Sequence, residues 1–578
     1  MSHIHFEIFR IAGKAGAWSL VEAMDDRARA LERAKQLLES GQAAAVRVVK
    51  ETLQASTGDY MSLTVFEDGN LEAQKKKKNT GEPPKNPLPC FKPDDLYSYH
   101  ARMTLARLVG DWLARQKLTV TEMIHSAAAL EKFEATGTTY QHAIQKIAVA
   151  EAAHSEMPVS QIVKQLNDLC TTAIHRVYKD EKKGAFPKPA IGGFAPLSAK
   201  LVGNPEAKYI LNGALAKYLS DAQGWDAKLT AVLALMAEIP KDGPARGLLL
   251  SAIDTLTAEL LNGSAALADL LGSNPDLGHA LLNLVHLFLG VPLDVDNGGK
   301  GINELARYFA SDDLPEARAA IASRILSELR GMKRLSPASL DEELKMLRKL
   351  ANNLVRGQGK YLSNEELINA FTERSKRLVT HEPLQQYMAD AKTPDAKMER
   401  LLSVEENIIG AENKRVLATF IMPILSANNF ADHLLPSAPT PQRLKRLADL
   451  QTRAMRCGFQ DIQKKQIAAA LDAHACHLES RAQFLTMLEN RVTHPVERAQ
   501  ALLKMFVSGI FTDGELSNKA KRLLLQALAK PGFLASYLAG VAQEKNAAID
   551  QEEALSELMS KLEQIGIPPD EGLRVLAA

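Results

Sequence analysis

Thr440-Pro441-Gln442-Arg443-Leu444-Lys445-Arg446-Leu447-Ala448-Asp449-Leu450-Gln451-Thr452-Arg453-Ala454-Met455 is the kind of stretch on which the fold turns. Thr440 is a helix-capping residue type, and Pro441 suits a first helical position because no N–H is needed there. Leu444, Leu447, Leu450 and Met455 then recur at helical pitch, with charged residues between them. The spacing predicts an amphipathic helix of about four turns. The same grammar recurs along the chain. Asn204-Pro205, Asn274-Pro275, Ser336-Pro337 and Thr393-Pro394 each pair a capping residue with proline. Ser363-Asn364-Glu365-Glu366 reads as a capping box, and Ser339-Leu340-Asp341-Glu342 as a second. Ile321, Ile325 and Leu329 form another apolar stripe after Pro315. From Asp94 onward the chain is expected to hold roughly twenty to twenty-five helices joined by short loops.

The first 67 residues follow a different rule. Ile4, Phe6 and Ile8 alternate with His5 and Glu7, the period of a half-buried strand. Gly13 to Gly16 supplies a turn and residues 18–24 a second strand. Asp25 and Asp26 offer an N-cap for a helix whose apolar face is Leu31, Ala34, Leu37 and Leu38, with Gly41 as its stop. Residues 46–49 and the alternating Met61, Leu63 and Val65 complete two more strands around the turn Thr57-Gly58-Asp59. A ββαββ module over residues 1–67 is expected. Residues 68–93 carry Lys75 to Lys78 and Pro83, Pro84, Pro87 and Pro89, a composition suited to an extended tether. A helical subdomain over 94–182 follows. The Gly- and Pro-rich stretch 182–198 is the expected internal boundary, and 199–578 is read as a helical array of one or two subdomains. The fold class is thus mostly α with a small N-terminal α+β module. The five Pro-marked helix starts fall at unequal intervals, so no fixed repeat is expected.

Charge and cysteine content narrow the functional classes. Seventy Lys and Arg against 69 Asp and Glu leave a net charge of +1, which gives no global field for nucleic acid or an anionic membrane. Aromatic residues are only 5% and do not interleave with the basic ones, so nucleic-acid binding is not expected. Cys90, Cys170, Cys457 and Cys476 show no paired spacing, which suits reduced thiols and a cytoplasmic location. The N-terminus lacks the basic and apolar regions of a signal peptide. The most apolar stretch, 280–293, is shorter than the roughly 20 residues a bilayer span needs, and it contains His286, so no transmembrane segment is expected.

Among chemistry-bearing patterns, the sharpest is a pair of E-x-x-H motifs, Glu122 with His125 and Glu151 with His154. On a helix, i and i+3 share a face, and two such pairs can build a di-metal carboxylate site. Only 26 residues separate His125 from Glu151, which departs from the usual helix order of such sites. His474 and His477 flank Cys476 with no partner at metal-finger spacing. The loop from Asp294 resembles a calcium loop, yet Gly298 and Leu305 stand where oxygen ligands belong. Gly357-Gln358-Gly359-Lys360 lacks the third glycine of a dinucleotide fingerprint and reads as a helix stop. His279 and His286 are expected on one face of an apolar helix. His381-Glu382-Pro383 lacks the second histidine of a zinc protease, and no G-x-S-x-G elbow occurs. No motif calls for a cofactor. The expected function is a non-catalytic regulatory or scaffold protein binding protein partners through helical-hairpin surfaces. The alternative is a helical metal-dependent enzyme or sensor using Glu122, His125, Glu151 and His154.

Overall fold

The computed structural model describes residues 4–11, 18–53, 60–69, 89–155, 157–190, 192–293, 299–427, 430–545, 551–568, 570, 572 and 574–575. The alternating N-terminal residues form strands β1 (Ile4–Ile11), β2 (Ser19–Met24), β3 (Ala45–Leu53) and β4 (Tyr60–Gly69), with helix α1 (Arg27–Glu39) between β2 and β3. The sheet order is β2-β1-β3-β4, antiparallel throughout. Period 2 sends Phe6, Ile8, Val46 and Val48 to the face that α1 covers with Ala30, Ala34 and Leu37. Asp26 caps α1 by accepting the Arg29 N–H at 2.8 Å, and Gly41 follows its end at φ +68°. The expected turns at 13–16 and 57–59, and most of the expected 68–93 tether, lie outside the described residues.

Beyond residue 90 the described chain is helical, as expected from its periodicity, with 27 α-helices after α1. Those needed below are α2 (Tyr99–Leu108), α3 (Gly110–Gln116), α4 (Val120–Ile124), α5 (Ala127–Glu134), α6 (Thr138–Ala152) and α7 (Val159–Lys182). The chain divides into two units, residues 1–337 with 346–370, and residues 338–345 with 371–578. The stretch 182–198, expected as the internal boundary, falls inside the first unit. Its Phe186 is fully buried against Tyr209, over a glycine (Gly213) whose Cβ would meet the ring at 2.1 Å.

The core of the first unit is the helix Pro244–Asn262, whose residues 253–261 are buried on every side. The helices Phe194–Leu201, Trp225–Ala234 and Pro315–Arg330 pack around it, as does α2. The second unit centres on a hairpin of the helices Thr440–Arg456 and Asp461–Ala482, with Ala411–Leu425 and Glu515–Leu528 against it. Leu444, Leu447 and Leu450 are buried there, while Met455 stays 45% exposed. Among the described residues no helix is long and apolar enough to cross a membrane.

Helix starts follow the sequence signals with a systematic offset. Thr393-Pro394 opens a helix where expected, while at Thr440-Pro441 the helix begins at Thr440 itself with Pro439 in the cap position. At Asn274-Pro275 the cap is instead Asp276, which accepts the His279 N–H at 2.8 Å, and the helix begins at Leu277. At Ser336-Pro337 the helix waits for Ser339, whose hydroxyl accepts the Glu342 N–H. At Asn204-Pro205 the Asn side chain accepts the Glu206 N–H in a turn, and the helix starts at Ala207. At Asn204 and Asn274 the side chain bonds locally before the helical ladder begins.

Candidate functional site

Neither E-x-x-H motif stays on its helix. Helix α4 ends at Ile124, so Glu122 and His125 straddle its terminus. Thr119 and Glu122 form a capping box: Glu122 Oε2 accepts the Thr119 N–H at 2.8 Å, and Thr119 Oγ1 accepts the Glu122 N–H at 3.1 Å. The other oxygen of Glu122 accepts from Lys228 Nζ at 2.6 Å, in a pair only 3–4% exposed. Lys228 also donates to the Lys117 carbonyl at 2.5 Å. A buried ion pair persists where remaining donors and acceptors are satisfied, and here the helix cap supplies that. A neighbouring pair repeats the device. Glu259, from the central helix, accepts both the backbone N–H and the hydroxyl of Thr121 at 3.0 Å and pairs with Arg102 at 3.2 Å. Burial raises the Glu259 pKa, opposed by Arg102 and Thr121.

His125 is fully buried. Its Nδ1 donates to the Thr121 carbonyl at 2.8 Å, and among the described residues its Nε2 meets no hydrogen-bond partner. The rings of Tyr97, Tyr209 and Phe186 enclose it, with centroids 5.1, 5.3 and 5.9 Å away. Desolvation pushes its pKa down to about 3, only partly offset by the Thr121 carbonyl, so the imidazole is neutral across the physiological range. Glu151 lies near the end of α6, half-buried, and His154 stands past that end, exposed, with Nδ1 on the Ala150 carbonyl. The short helix α5 intervenes between the two motifs. The four side chains are not gathered into one ligand set, and among the described residues no three His, Cys, Asp or Glu form a group able to hold a metal.

The other histidine and glycine motifs are dispersed in the same way. His279 is exposed and held by Asp276 at 2.6 Å. His474 accepts no metal-like setting: its Nε2 donates to the Leu425 carbonyl at 2.6 Å while the ring stacks on Phe430, and His477 is exposed. Residues 294–298 of the loop after Asp294 lie outside the described residues. Gly359 donates to the Leu362 carbonyl just before the Ser363–Glu366 capping box, the expected helix stop.

What the structure does assemble is an apolar cavity of about 120 Å³ between α2, α4, α5, α6 and α7. Fourteen of its twenty-one lining residues are apolar, among them Met123, Phe133, Ile144, Leu166 and Ile174. The polar ones are Cys90, Tyr97, His100, Thr104, Tyr140, Glu151 and Cys170, and no Lys or Arg lines it. Helical pitch accounts for this lining. Ala143, Ile144, Ile147 and Glu151 follow one face of α6, and Leu166, Cys170, Ala173, Ile174 and Val177 one face of α7. Burial raises the Cys90 thiol to about 11, helped by Asp95 and Glu151, and also raises Cys170 and Glu151. These thiols are poor nucleophiles at neutral pH. Of the cavity's polar groups, the sequence patterns singled out Glu151, Cys90 and Cys170, each for another reason. Their convergence is set by how α6 packs on α7, which no local pattern encodes.

Two wider polar clefts lie elsewhere. In one, Arg176 is already held by Asp94, Asp180 and Glu206 and stacks on Tyr209 at 4.1 Å. In the other, Glu405 is taken up by Lys414 and the Gly458 N–H, both at 2.7 Å. Fold and site together define a two-unit helical protein with a ββαββ module in its first unit and an apolar cavity walled by helices. No family model, no curated protein and no solved structure matches this chain.

Proposed function

We propose that the protein is a non-catalytic regulatory protein that works by binding, and that its first unit takes up a small apolar molecule. The observation that carries this reading is the helix-walled cavity. Its volume of about 120 Å³ approaches the roughly 150 Å³ of an apolar cavity that holds benzene, and apolar side chains form most of its wall. The buried carboxylates and lysine nearby support a binding role over a catalytic one, because Glu122, Glu259 and Lys228 are each engaged in helix-capping or ion-pair contacts. All four cysteines are free, which supports the cytoplasmic location expected from their spacing.

Thermal unfolding of the full chain with toluene tests the reading. Toluene is expected to raise the Tm of the first transition in a dose-dependent way, since a ligand that binds only the folded state stabilises it. Ala143→Leu and Ala173→Leu, which fill the cavity, should fold with unchanged circular dichroism and lose that response. A parent protein indifferent to toluene, or filled variants that respond equally, would end the proposal.

Protein partners are the second reading. It is favoured by Met455 and Ile462, 45% and 70% exposed, which flank the turn of the long hairpin in the second unit. A photoactivatable residue at position 462 should give one discrete crosslinked adduct in cells, and the same probe at the exposed Lys465 none. A smear or silence at both positions argues against a specific partner there.

A further inference from the structure

The N-terminal sheet leaves its two edge strands in different states. On β4, the carbonyl of Thr64 accepts from the side-chain amide of Asn369 at 3.4 Å. β2 is the other edge, and among the described residues no backbone or side-chain group bonds its outer side. It is largely exposed, Leu20 at 54%, and carries neither lysine nor proline, two of the residues that usually guard such an edge. An edge of this kind is a template for an extended segment. Arg47 indicates the charge of that segment. Val46 and Val48 point to α1, so alternation puts Arg47 on the opposite face of the sheet. Its cross-strand neighbour on β4 is Glu67, yet no ion pair joins the two. The guanidinium turns the other way, over its β1 neighbour Phe9 at 5.2 Å and on to Trp18 at 4.7 Å, the residue just before β2. There its Nε is enclosed without a hydrogen-bond partner, and among the described residues no carboxylate pairs with it, although the side chain stays partly exposed. Two rings hold this planar fork in place without neutralising it, and a carboxylate is its geometric match. A strand added outside β2 would lie about 4.8 Å from it, so a side chain on the Arg47 face could reach back across Trp18. We infer that β2 takes an extended acidic segment of a partner protein as a fifth strand, with one Asp or Glu side chain of that segment on Arg47. None of these residues lines the cavity, so the inference stands apart from the ligand reading.

Short fluorescent peptides of alternating serine and valine, with one central glutamate, glutamine or lysine, test this by anisotropy on the full chain at neutral pH. The glutamate peptide should bind at least about tenfold tighter than the glutamine one, the order expected of one bidentate charge-assisted pair. The lysine peptide should bind weakest. In Arg47→Gln the glutamate peptide should fall to the level of the glutamine peptide, whose own affinity stays unchanged and so reports an intact edge. N-methylation of alternate peptide nitrogens should abolish binding in one of the two possible phases and spare it in the other, because an added strand is held by one side of its backbone. Equal binding of the glutamate and glutamine peptides, indifference to methylation in both phases, or no binding by any peptide would overturn the inference. So would a single-stranded oligodeoxythymidylate that displaces the glutamate peptide and is itself lost in Arg47→Gln, since two aromatic rings and a guanidinium also stack on bases.

Discussion

At the scale of single residues, the most informative side chain is His125. Its ring, a metal ligand only in the alternative reading of the sequence, lies neutral in a cage of three aromatic rings. In an unfolded chain an imidazole takes a proton near pH 6.5, whereas here it resists until about pH 3. The folded pKa is lowered, so the unfolded state binds the proton first and stability is lost as pH falls below 6.5, continuing down through about 3. Between pH 7.5 and pH 5 this one group should lower stability by about 2 kcal/mol. His125→Phe keeps the ring packing and removes the titration, so its urea-unfolding free energy should fall less over that interval than the parent's. Equal slopes would mean the histidine is hydrated. Glu122 makes a second residue-scale case. Glu122→Gln or Lys228→Met leaves a buried charge alone and should cost about 3–5 kcal/mol, while the double substitution should recover much of the loss. If each single variant is neutral, the pair is not as buried as its 3–4% exposure implies. A local sign of the true role of Glu122 was present in the sequence: Thr119-x-x-Glu122 is a capping box, and its spacing competes with the E-x-x-H pattern that shares the glutamate.

At the scale of elements, the recurrent device is a carboxylate from one helix capping the start of another. Asp254 accepts the N–H groups of Glu316 and Ala317 at 2.8 and 2.9 Å. Asp472 accepts those of Glu515 and Leu516 and the hydroxyl of Thr512. Asp226 serves Gly301, Glu181 serves Ala127, and Glu238 serves Gly192 and Phe194. The helices starting at Phe194, Lys300, Pro315 and Glu515 have no side-chain cap of their own, so these distant carboxylates satisfy donors a short-range search would leave orphaned. Two of the approaches depend on glycine. A Cβ on Gly514, at φ +152°, would lie 2.2 Å from the Asp472 carboxylate, and one on Gly299 would lie 2.1 Å from Asp226. Gly514→Ala should therefore destabilise by about 2 kcal/mol or more, and Asp472→Ala by about 3 kcal/mol, measured by chemical denaturation. Values within about 0.5 kcal/mol of the parent would show that the cap is ornamental. Asp254 adds a pH signature of opposite sign to that of His125. Burial lifts its pKa from 3.8 to about 7, so its contribution is complete below pH 4 and declines as pH rises through 7.

At the scale of the whole molecule, the remote caps named above each close within one unit, Asp254 in the first and Asp472 in the second. Differential scanning calorimetry should resolve two transitions, with Asp254→Ala lowering one and Asp472→Ala the other. A single transition shifted by both variants would mean the units unfold together. The sequence by itself determined the fold class, a small α+β module followed by helices. Alternation at residues 4–8 could only be a half-buried strand, and stripes such as Leu444, Leu447 and Leu450 only a helix, because both periods are properties of the local backbone. Short-range caps such as Ser363 with Glu366 were equally readable, since donor and acceptor sit three residues apart. Only the tertiary structure decided which carboxylates cap distant helices, across separations from 43 to 138 residues, and which faces of α6 and α7 enclose an apolar cavity. Those outcomes depend on how helices pack against one another. Packing is settled by the fit of whole surfaces, and no spacing along the chain records it.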